Sequence, residues 1–238
     1  MMKRLVLMSL IALMAGSAGA QSRWYFGPEV GFTVSRTSTN DTFANNFSRR
    51  NKFGPRVGLM AKYSLGRVAS LDFGLAFTSK GYKINNDSLG TSPSVSRSLY
   101  AMEIPLGLSF KQTINGESFI TEKFGLIGTY SFANDSSVFK NNESNTNFTI
   151  TERNLNRFYP MFYLGVKIGG VTGSKNRYEF GATYMQSLAK DSELSVNYGN
   201  AMKRIFPLNY GGGYLTIGFT YYFNSSNFKV EKSDYFID

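Results

Sequence analysis

Residues 98–111 read SLYAMEIPLGLSFK, and this stretch decides the fold. From Tyr100 onward every second residue is large and apolar, whereas the alternate positions hold Ala, Glu, Pro, Gly, Ser and Lys. Successive side chains of a β-strand point to opposite faces. The stretch therefore predicts a strand with one apolar face and one face of small residues with isolated charges. The same division occurs in Ser70–Lys83 and Gly213–Phe223.

The period-two pattern continues along the chain and predicts eight strands. They are Trp24–Arg36, Phe53–Ser64, Ser70–Lys83, Ser98–Lys111, Ser118–Phe132, Arg157–Ile168, Arg177–Leu188 and Gly213–Phe223. Strands of soluble proteins usually have about 5–6 residues, whereas a tilted strand that crosses a bilayer needs about 9–11. These predicted strands are long enough to cross a membrane.

The connections between the predicted strands alternate in length. Three are short: Leu65–Ala69, Gln112–Glu117 and Gly169–Asn176. Four are long and rich in Asn, Ser and Thr: Thr37–Lys52, Ile84–Arg97, Ala133–Asn156 and Ala189–Gly212. Short turns at one end and long loops at the other are typical of outer-membrane barrels. The fold class predicted is all-β, a transmembrane eight-stranded antiparallel up-and-down β-barrel.

Two arrangements of such a barrel differ in which face points inward. A soluble lipocalin-like barrel would turn its apolar face inward and cover its outside with long polar side chains. Here the polar face consists largely of Gly, Ala, Ser and Thr, and small residues suit the narrow interior of an eight-stranded barrel. The sequence therefore favours an apolar face that contacts lipid.

The N-terminus has the features of a secretory signal peptide. Lys3 and Arg4 precede the apolar run Leu5–Met14, and Ala18–Ala20 reads AGA, an A-x-A cleavage site. We expect a signal peptide at 1–20, a barrel at 21–223 and a C-terminal periplasmic tail at 224–238, which either extends freely or covers the barrel mouth. The expected location is the bacterial outer membrane.

Two near-identical phrases, FGPEVG at 26–31 and FGPRVG at 53–58, place Glu29 and Arg56 on the inward face. Charges withdrawn from water must be paired. The predicted interior charge network is Glu29, Arg56, Lys62, Asp72, Glu103, Lys123, Lys167 and Glu179, with Lys80 and Lys111 as further inward charges. A turn symmetric about Arg67 places Lys62 opposite Asp72. A turn symmetric about Gly173 places Lys167 opposite Glu179.

Large side chains on the inward face are expected to fill the lumen. They are Tyr25, Arg56, Met60, Tyr159, Met161, Tyr163 and Tyr222. Four prolines also fall within predicted strands: Pro28, Pro55, Pro105 and Pro160. Because proline has no N–H for the ladder, we expect bulges or strand ends at these positions.

Composition argues against several classes of function. The chain of 238 residues has no His and no Cys, which excludes imidazole bases, imidazole metal ligands and thiol chemistry. A carboxylate pair such as Glu29 with Glu103 could perform acid–base work, but cations on the same face favour an ion-pair network. No catalytic, cofactor or metal site is predicted. The net charge of +10 comes from dispersed Lys and Arg, so a nucleic-acid partner is not expected.

The stretch KYSLGRVASLDFGLAFTSKGYKI at 62–84, followed by SLYAMEIPLGLSFK, resembles the outer-membrane barrel family called PorT-like or "porin family". The resemblance covers roughly Trp24–Phe223. It implies a barrel of about eight strands without assigned activity in most members, and a few relatives act in protein secretion or surface assembly. Such barrels usually end on an aromatic residue that the insertion machinery recognises; Phe223 fits, although 15 residues follow it.

The function predicted is a structural or binding role without catalysis, in a barrel plugged by charged and aromatic side chains. A narrow or gated pore for ions or small solutes is the first alternative, and a component of a surface secretion or assembly system is the second. Expected partners are outer-membrane lipid, the barrel-insertion machinery and a surface or periplasmic protein. Arg49, Arg50 and Lys52 end the first long loop and are candidates for contacting phosphorylated head groups.

Overall fold

The computed structural model describes residues 24–35, 47–86, 94–132, 136–141, 148–154, 156–173, 175–189, 192–198, 202–206 and 213–225. The predicted signal peptide, and the predicted tail beyond Ser225, lie outside these residues and remain predictions. Within the described residues, no helix is long and apolar enough to cross a membrane.

The described residues form thirteen strands in two sheets. They are β1 (Trp24–Ser35), β2 (Phe47–Arg50), β3 (Lys52–Ser64), β4 (Ala69–Asn86), β5 (Ser94–Thr113), β6 (Ser118–Ser131), β7 (Ser136–Asn141), β8 (Phe148–Asn154), β9 (Phe158–Val171), β10 (Arg177–Ser187), β11 (Ser192–Tyr198), β12 (Met202–Phe206) and β13 (Tyr214–Asn224).

Eight of these strands close into a barrel. Each of β1, β3, β4, β5, β6, β9 and β10 pairs antiparallel with the next barrel strand, and β13 returns to pair with β1. The pairing of Thr33 with Thr216 illustrates this closure between the two ends of the chain. All eight barrel strands coincide with the eight predicted from the sequence, so the predicted antiparallel up-and-down barrel is confirmed.

The outside of the barrel is an apolar belt to which every barrel strand contributes. Its exposed members include Phe26, Val30, Val57, Leu59, Leu75, Phe77, Ile104, Leu106, Phe124, Leu126, Leu164, Val166, Phe180, Leu215 and Phe219. A continuous apolar surface of this extent is unfavourable in water and matches the hydrocarbon of a bilayer. The inward side carries the buried charges and tyrosines, which confirms the predicted orientation of the two faces and defines a barrel that spans a membrane.

The long connections contain more structure than the sequence predicted. Strands β7 and β8 lie between β6 and β9, strands β11 and β12 lie between β10 and β13, and together they form a sheet in the order β12-β11-β8-β7. Its ladders continue those of the barrel, because β7–β8 follows β6–β9 and β8–β11 follows β9–β10 with small shifts of register. With β2, which lies in the predicted loop Thr37–Lys52, five of the described strands fall within predicted loops. The barrel ladders hold the ends of these segments next to one another, which favours their pairing.

The four in-strand prolines disturb the ladders less than expected. The registers of β1–β13 and β4–β5 are the same on both sides of Pro28 and Pro105, although the pairs next to these prolines are missing. Pro160 lies in register opposite Gly128. The expectation of a bulge is wrong at these three sites because no strand gains a residue there. Pro160 instead lies near a strand end, the other arrangement expected, since it is the third residue of β9. Near Pro55 the register does shift by one residue between β2–β4 and β3–β4, as a bulge requires.

Candidate functional site in the barrel interior

The inward face gathers the charged residues that the sequence singled out. Glu29, Arg56, Lys62, Asp72, Glu103, Lys123, Lys167 and Glu179 are all buried. They face inward because they occupy the alternate positions to the apolar belt on β1, β3, β4, β5, β6, β9 and β10. Burial of so many charges is favourable only if they compensate one another. Their contacts fall into a central layer and a layer near the short turns.

Arg56 organises the central layer. Its Nε donates to Glu29 Oε1 at 2.9 Å, and its Nη1 contacts Glu103 Oε2. Lys167 Nζ lies 3.0 Å from the second oxygen of Glu29. The guanidinium therefore lies between the two carboxylates that the sequence offered for acid–base work, and each carboxylate is held in an ion pair. The phrases FGPEVG and FGPRVG differ only at Glu29 and Arg56. The two strands therefore supply opposite charges to one cluster.

The central layer also spans the full width of the lumen. The hydroxyl of Tyr214 on β13 contacts Glu103 Oε1 on β5, and these strands are four positions apart in the ring of eight. Lys167 Nζ donates to Thr220 Oγ1 at 2.8 Å, and Thr220 Oγ1 in turn donates to Glu29 Oε2 at 3.1 Å. The contacts therefore connect opposite walls of the barrel, not only neighbouring strands.

Lys62 organises the layer near the short turns. It lies opposite Asp72 in the β3–β4 ladder, as the turn symmetric about Arg67 predicts, but the charged atoms are 3.9 Å apart. Its closer partner is Glu179 Oε1 on β10, across the lumen. Ser109 Oγ donates to Asp72 Oδ1 at 2.8 Å, which compensates that carboxylate further.

The predicted pair of Lys167 with Glu179 is wrong. The β9–β10 ladder places Lys167 opposite Gly181 and Glu179 opposite Gly169. Thr172 N donates to Asn176 O at 2.9 Å, and the ladder pairs, such as Val171 with Arg177, are symmetric about a point one residue further along the chain than Gly173. Lys175, at the last turn position, has a φ of 60°. Moving the centre of the hairpin by one residue shifts the register by two and separates the two side chains.

Lys123 does not join the network through an ion pair. Among the described residues, no carboxylate lies within ion-pair distance of its ammonium, which instead lies 5.7 Å from the centre of the Tyr163 ring. Lys80 contacts the Tyr159 hydroxyl and lies 4.7 Å from the centre of that ring. Lys111 lies 5.7 Å from the centre of the Phe119 ring. Each of these three lysines therefore has its ammonium within 6 Å of the centre of an aromatic ring, a distance at which cation–π attraction acts.

Bulky side chains occupy the space around the charged layers. All seven predicted lumen-filling residues are buried. Tyr25, Met60 and Tyr222 pack together near the short turns. A second cluster comprises Ile127, Tyr159, Met161, Tyr163, Met185 and Tyr214. Sequence reasoning missed the bridging roles of Tyr214 and Thr220. The alternation along β13 predicts that both side chains point inward. It does not predict their partners, because contacts across the lumen form only when the barrel is closed.

The candidate phosphate-contacting residues lie in strands, not in a loop. Arg49 and Arg50 belong to β2, where they pair with Ile84 and Lys83 of β4. Lys52 is the first residue of β3, and its Nζ donates to Ser96 Oγ at 2.8 Å. Because β2 pairs with β4, the end of the predicted loop Thr37–Lys52 extends the barrel wall.

These features define a class of protein: a membrane-spanning eight-stranded β-barrel whose lumen is crossed by ion pairs and tyrosines. No protein-family model matches the chain, and a sequence comparison with curated proteins found no match. The backbone is similar to the crystal structure of the outer membrane protein OprG from Pseudomonas aeruginosa, with 10% identity, a TM-score of 0.49, and coverage of 87% of this chain and 99% of that chain.

The attachment invasion locus protein Ail of Yersinia pestis is also similar in two structures. One is a crystal structure in complex with the heparin analogue sucrose octasulfate, with 12% identity and a TM-score of 0.40. The other was obtained in a phospholipid bilayer nanodisc, with 16% identity and a TM-score of 0.38. Each match covers 84% of this chain and 99% of the other. The fold assignment itself rests on the closed ladder and apolar belt of the present chain.

Proposed function

We propose that this protein is a bacterial outer-membrane barrel with a closed interior, which acts as a scaffold or binding protein through its two ends and performs no catalysis. In this proposal residues 1–20 are a signal peptide, and the tail predicted at 224–238 is periplasmic but begins after Asn224, because Asn224 is the last residue of β13. The observation that supports a closed interior best is the contact between Tyr214 and Glu103 on opposite walls of the lumen.

Further contacts support the same proposal at other levels of the barrel. Lys62 contacts Glu179, which lies three strands away around the barrel. Lys167 contacts Glu29, which also lies three strands away. Eight strands enclose a space that side chains can fill. Because these side chains are held by partners on distant strands, moving any of them aside would leave a buried charge uncompensated. That cost favours a closed interior over an open path for solutes.

The binding role is supported by the extended strands. The sheet β12-β11-β8-β7 and the pairing of β2 with β4 give hydrogen-bonded structure to segments between barrel strands. Recognition residues commonly lie on such connections, positioned by a rigid scaffold. The PorT-like resemblance adds a finer proposal, that the partner belongs to a secretion or surface-assembly system.

Conductance measurements test the closed interior. Protein purified from the outer-membrane fraction and added to a planar bilayer should produce no steady conductance, because the central layer closes the lumen. The double variant Glu103→Ala/Tyr214→Ala removes the contact across the full diameter and should produce frequent openings. Its matched control is Glu122→Ala/Tyr130→Ala, which removes the same two residue types from exposed positions on β6. Steady channels formed by the wild-type protein would overturn the proposal in favour of a pore.

A further inference from the structure

A row of inward-facing positions crosses four neighbouring strands of the barrel wall. Lys123 of β6 lies directly opposite Gly165 of β9, and Gly165 lies directly opposite Thr183 of β10. Thr183 in turn lies directly opposite Thr216 of β13. The side chains of Lys123, Thr183 and Thr216 are all more than nine-tenths buried. The row therefore carries one ammonium and two hydroxyls into the lumen.

The polar atoms of this row have no partner within the part of the chain that the structure describes. The Lys123 ammonium has neither a hydrogen bond nor an ion pair there, and the Thr183 hydroxyl has no hydrogen bond. Thr216 Oγ1 is buried without a hydrogen-bond partner. Buried polar groups of native proteins are nearly always satisfied, by the protein or by a bound water or ion. Three unsatisfied groups in one row indicate that something outside the chain occupies it.

Gly165 provides the space for such an occupant. A Cβ added at Gly165 would lie 2.7 Å from Thr183 Oγ1 and 2.9 Å from Lys123 Cε. The lysine side chain therefore extends over β9 towards Thr183, and both groups border the position that the glycine leaves open.

The charges of the lumen indicate the sign of the occupant. Among the described residues, the buried cations are Arg56, Lys62, Lys80, Lys123 and Lys167, and the buried carboxylates are Glu29, Asp72, Glu103 and Glu179. The five cations exceed the four carboxylates by one. A buried charge needs compensation, so the lumen has room for one further negative charge.

The surroundings of Lys123 place the missing charge at this residue. Glu29 is paired with Arg56 and Lys167, and Lys62 is the partner of both Asp72 and Glu179. These three carboxylates attract the Lys123 ammonium from beyond ion-pair distance, but the repulsion by Lys167 is larger than any one of these attractions.

We propose that Lys123 and Thr183, with Thr216 beside them, form a binding site for one small monovalent anion such as chloride. The Lys123 ammonium balances the charge of the anion, and the threonine hydroxyls donate hydrogen bonds to it. The anion is monovalent because the lumen lacks one negative charge. It is small because side chains fill most of the space that eight strands enclose.

Urea titration of the full chain in detergent tests this site, with sodium chloride compared with sodium gluconate at equal ionic strength. Gluconate is too large for the row. Above its dissociation constant, tenfold more chloride should raise the folding equilibrium constant of the wild type about tenfold, because the anion binds only the folded state. Equal stability in the two salts would overturn the site in favour of bound water.

Lys123→Met should lose the chloride dependence. This variant removes the cation together with the anion that balances it, so it leaves no uncompensated charge. Its matched control is Lys111→Met, because Lys111 also lies 5.7 Å from the centre of an aromatic ring but is only half-buried. An equal loss of chloride dependence in Lys111→Met would overturn the site in favour of unspecific attraction.

The hydroxyls are tested without any change of charge. Thr183→Val should weaken the dependence on chloride several-fold, whereas Thr183→Ser keeps a hydroxyl and should retain it. Thr129→Val is the control, because Thr129 also has a buried hydroxyl without a partner but lies six residues further along β6 than Lys123. The same loss in Thr129→Val would contradict a role for Thr183. These variants decide the question even where Lys123→Met fails to give a folded band on an unboiled gel.

Crystals of the wild-type protein grown in sodium bromide locate the anion directly. An anomalous peak should lie between Lys123 Nζ and Thr183 Oγ1, and it should be absent from Lys123→Met. Bromide found on the barrel surface and not in the row would mean an adventitious ion only and would overturn the site. None of these measurements requires the lumen to be closed to solutes, so failure of this site and failure of the closed-lumen proposal are distinguishable.

Discussion

Two buried lysines of the same barrel have different surroundings. Lys62 contacts Glu179 and lies 3.9 Å from Asp72, whereas Lys123 has an aromatic ring nearby and, within the described residues, no carboxylate at ion-pair distance. Burial removes hydration from both ammonium groups, but only Lys62 regains the lost stabilisation from carboxylates at ion-pair distance. Comparing the same substitution at Lys62 and at Lys123 therefore separates the stabilisation from an ion pair from the effect of burial.

Replacing Lys62 with Met should destabilise the folded barrel by about 3–5 kcal/mol, because the substitution leaves Glu179 buried without its closest partner. The double variant Lys62→Met/Glu179→Gln should cost less than the sum of the single variants. The free energy of unfolding is measured by urea titration in detergent, read from the gel shift of the folded barrel.

Lys123→Met is the matched control for that cycle. The same change at a lysine without an ion pair should cost far less than Lys62→Met, since no carboxylate loses a partner. Equal costs at the two sites, or a coupling energy of zero between Lys62 and Glu179, would contradict the ion pair across the lumen.

A second feature at the residue scale is the surface against which the Tyr163 ring packs. Gly125 lies opposite Tyr163 in one ladder and opposite Gly107 in the next, so two glycines provide the surface on which the ring lies. A Cβ added at Gly125 would be 2.3 Å from Leu106 O, 2.5 Å from Gly107 Cα and 2.9 Å from Tyr163 Cε1. Two of these neighbours are backbone atoms, which cannot move without disturbing the ladder.

Gly125→Ala should therefore destabilise the barrel by about 1–3 kcal/mol, the usual cost of overpacking. Gly66→Ala is the control, because a Cβ at Gly66 has nothing within 4 Å. Both variants are compared by the temperature at which the folded band disappears from an unboiled gel. A Gly125→Ala barrel as stable as the Gly66→Ala barrel would show that the interior can relax around Tyr163.

At the scale of elements, the sequence predicted the barrel strands and their faces but not every register. Long strands such as β5, with its alternation around Glu103, carry a strong signal because lipid and lumen demand different side chains. The register of the β9–β10 hairpin depended instead on one left-handed residue, Lys175, which composition does not reveal. Strand β8, with the alternating stretch FTITE at 148–152, was missed because its neighbours are rich in Asn and Ser.

The lipid-facing side of β5 can be tested directly. Leu106 lies in the middle of the strand and is 56% exposed, so Leu106→Arg should cost roughly 2–4 kcal/mol near the bilayer midplane. Ile114→Arg is the control: Ile114 follows the end of β5 in a short turn and is 61% exposed, so depth and not exposure distinguishes the two sites. The measurement is the free energy of folding into lipid vesicles. Similar values for the two variants would contradict the membrane position of β5.

At the scale of the whole molecule, the usual arrangement of a soluble protein is reversed. Apolar residues cover the outside, and the interior holds the ion pairs of Arg56, Lys62 and Lys167 together with buried tyrosines. Sequence alternation predicted this reversal together with the strand lengths and the predicted signal peptide, which favoured lipid outside. It could not predict the partners across the lumen, such as Tyr214 with Glu103, since those contacts exist only after the ring has closed.

The pairing of β1 with β13 has a consequence for how the protein is made. Thr33 and Thr216 are neighbours in space, yet almost the whole chain separates them in sequence. The final ladder therefore cannot form until the last strand has been synthesised, and long-range pairings of this kind form slowly. During that interval β1 and the most recently added strand each present an unpaired edge, which invites aggregation. Assembly of this barrel thus depends on something that shields two edges until they meet, a requirement set by topology and independent of any ligand.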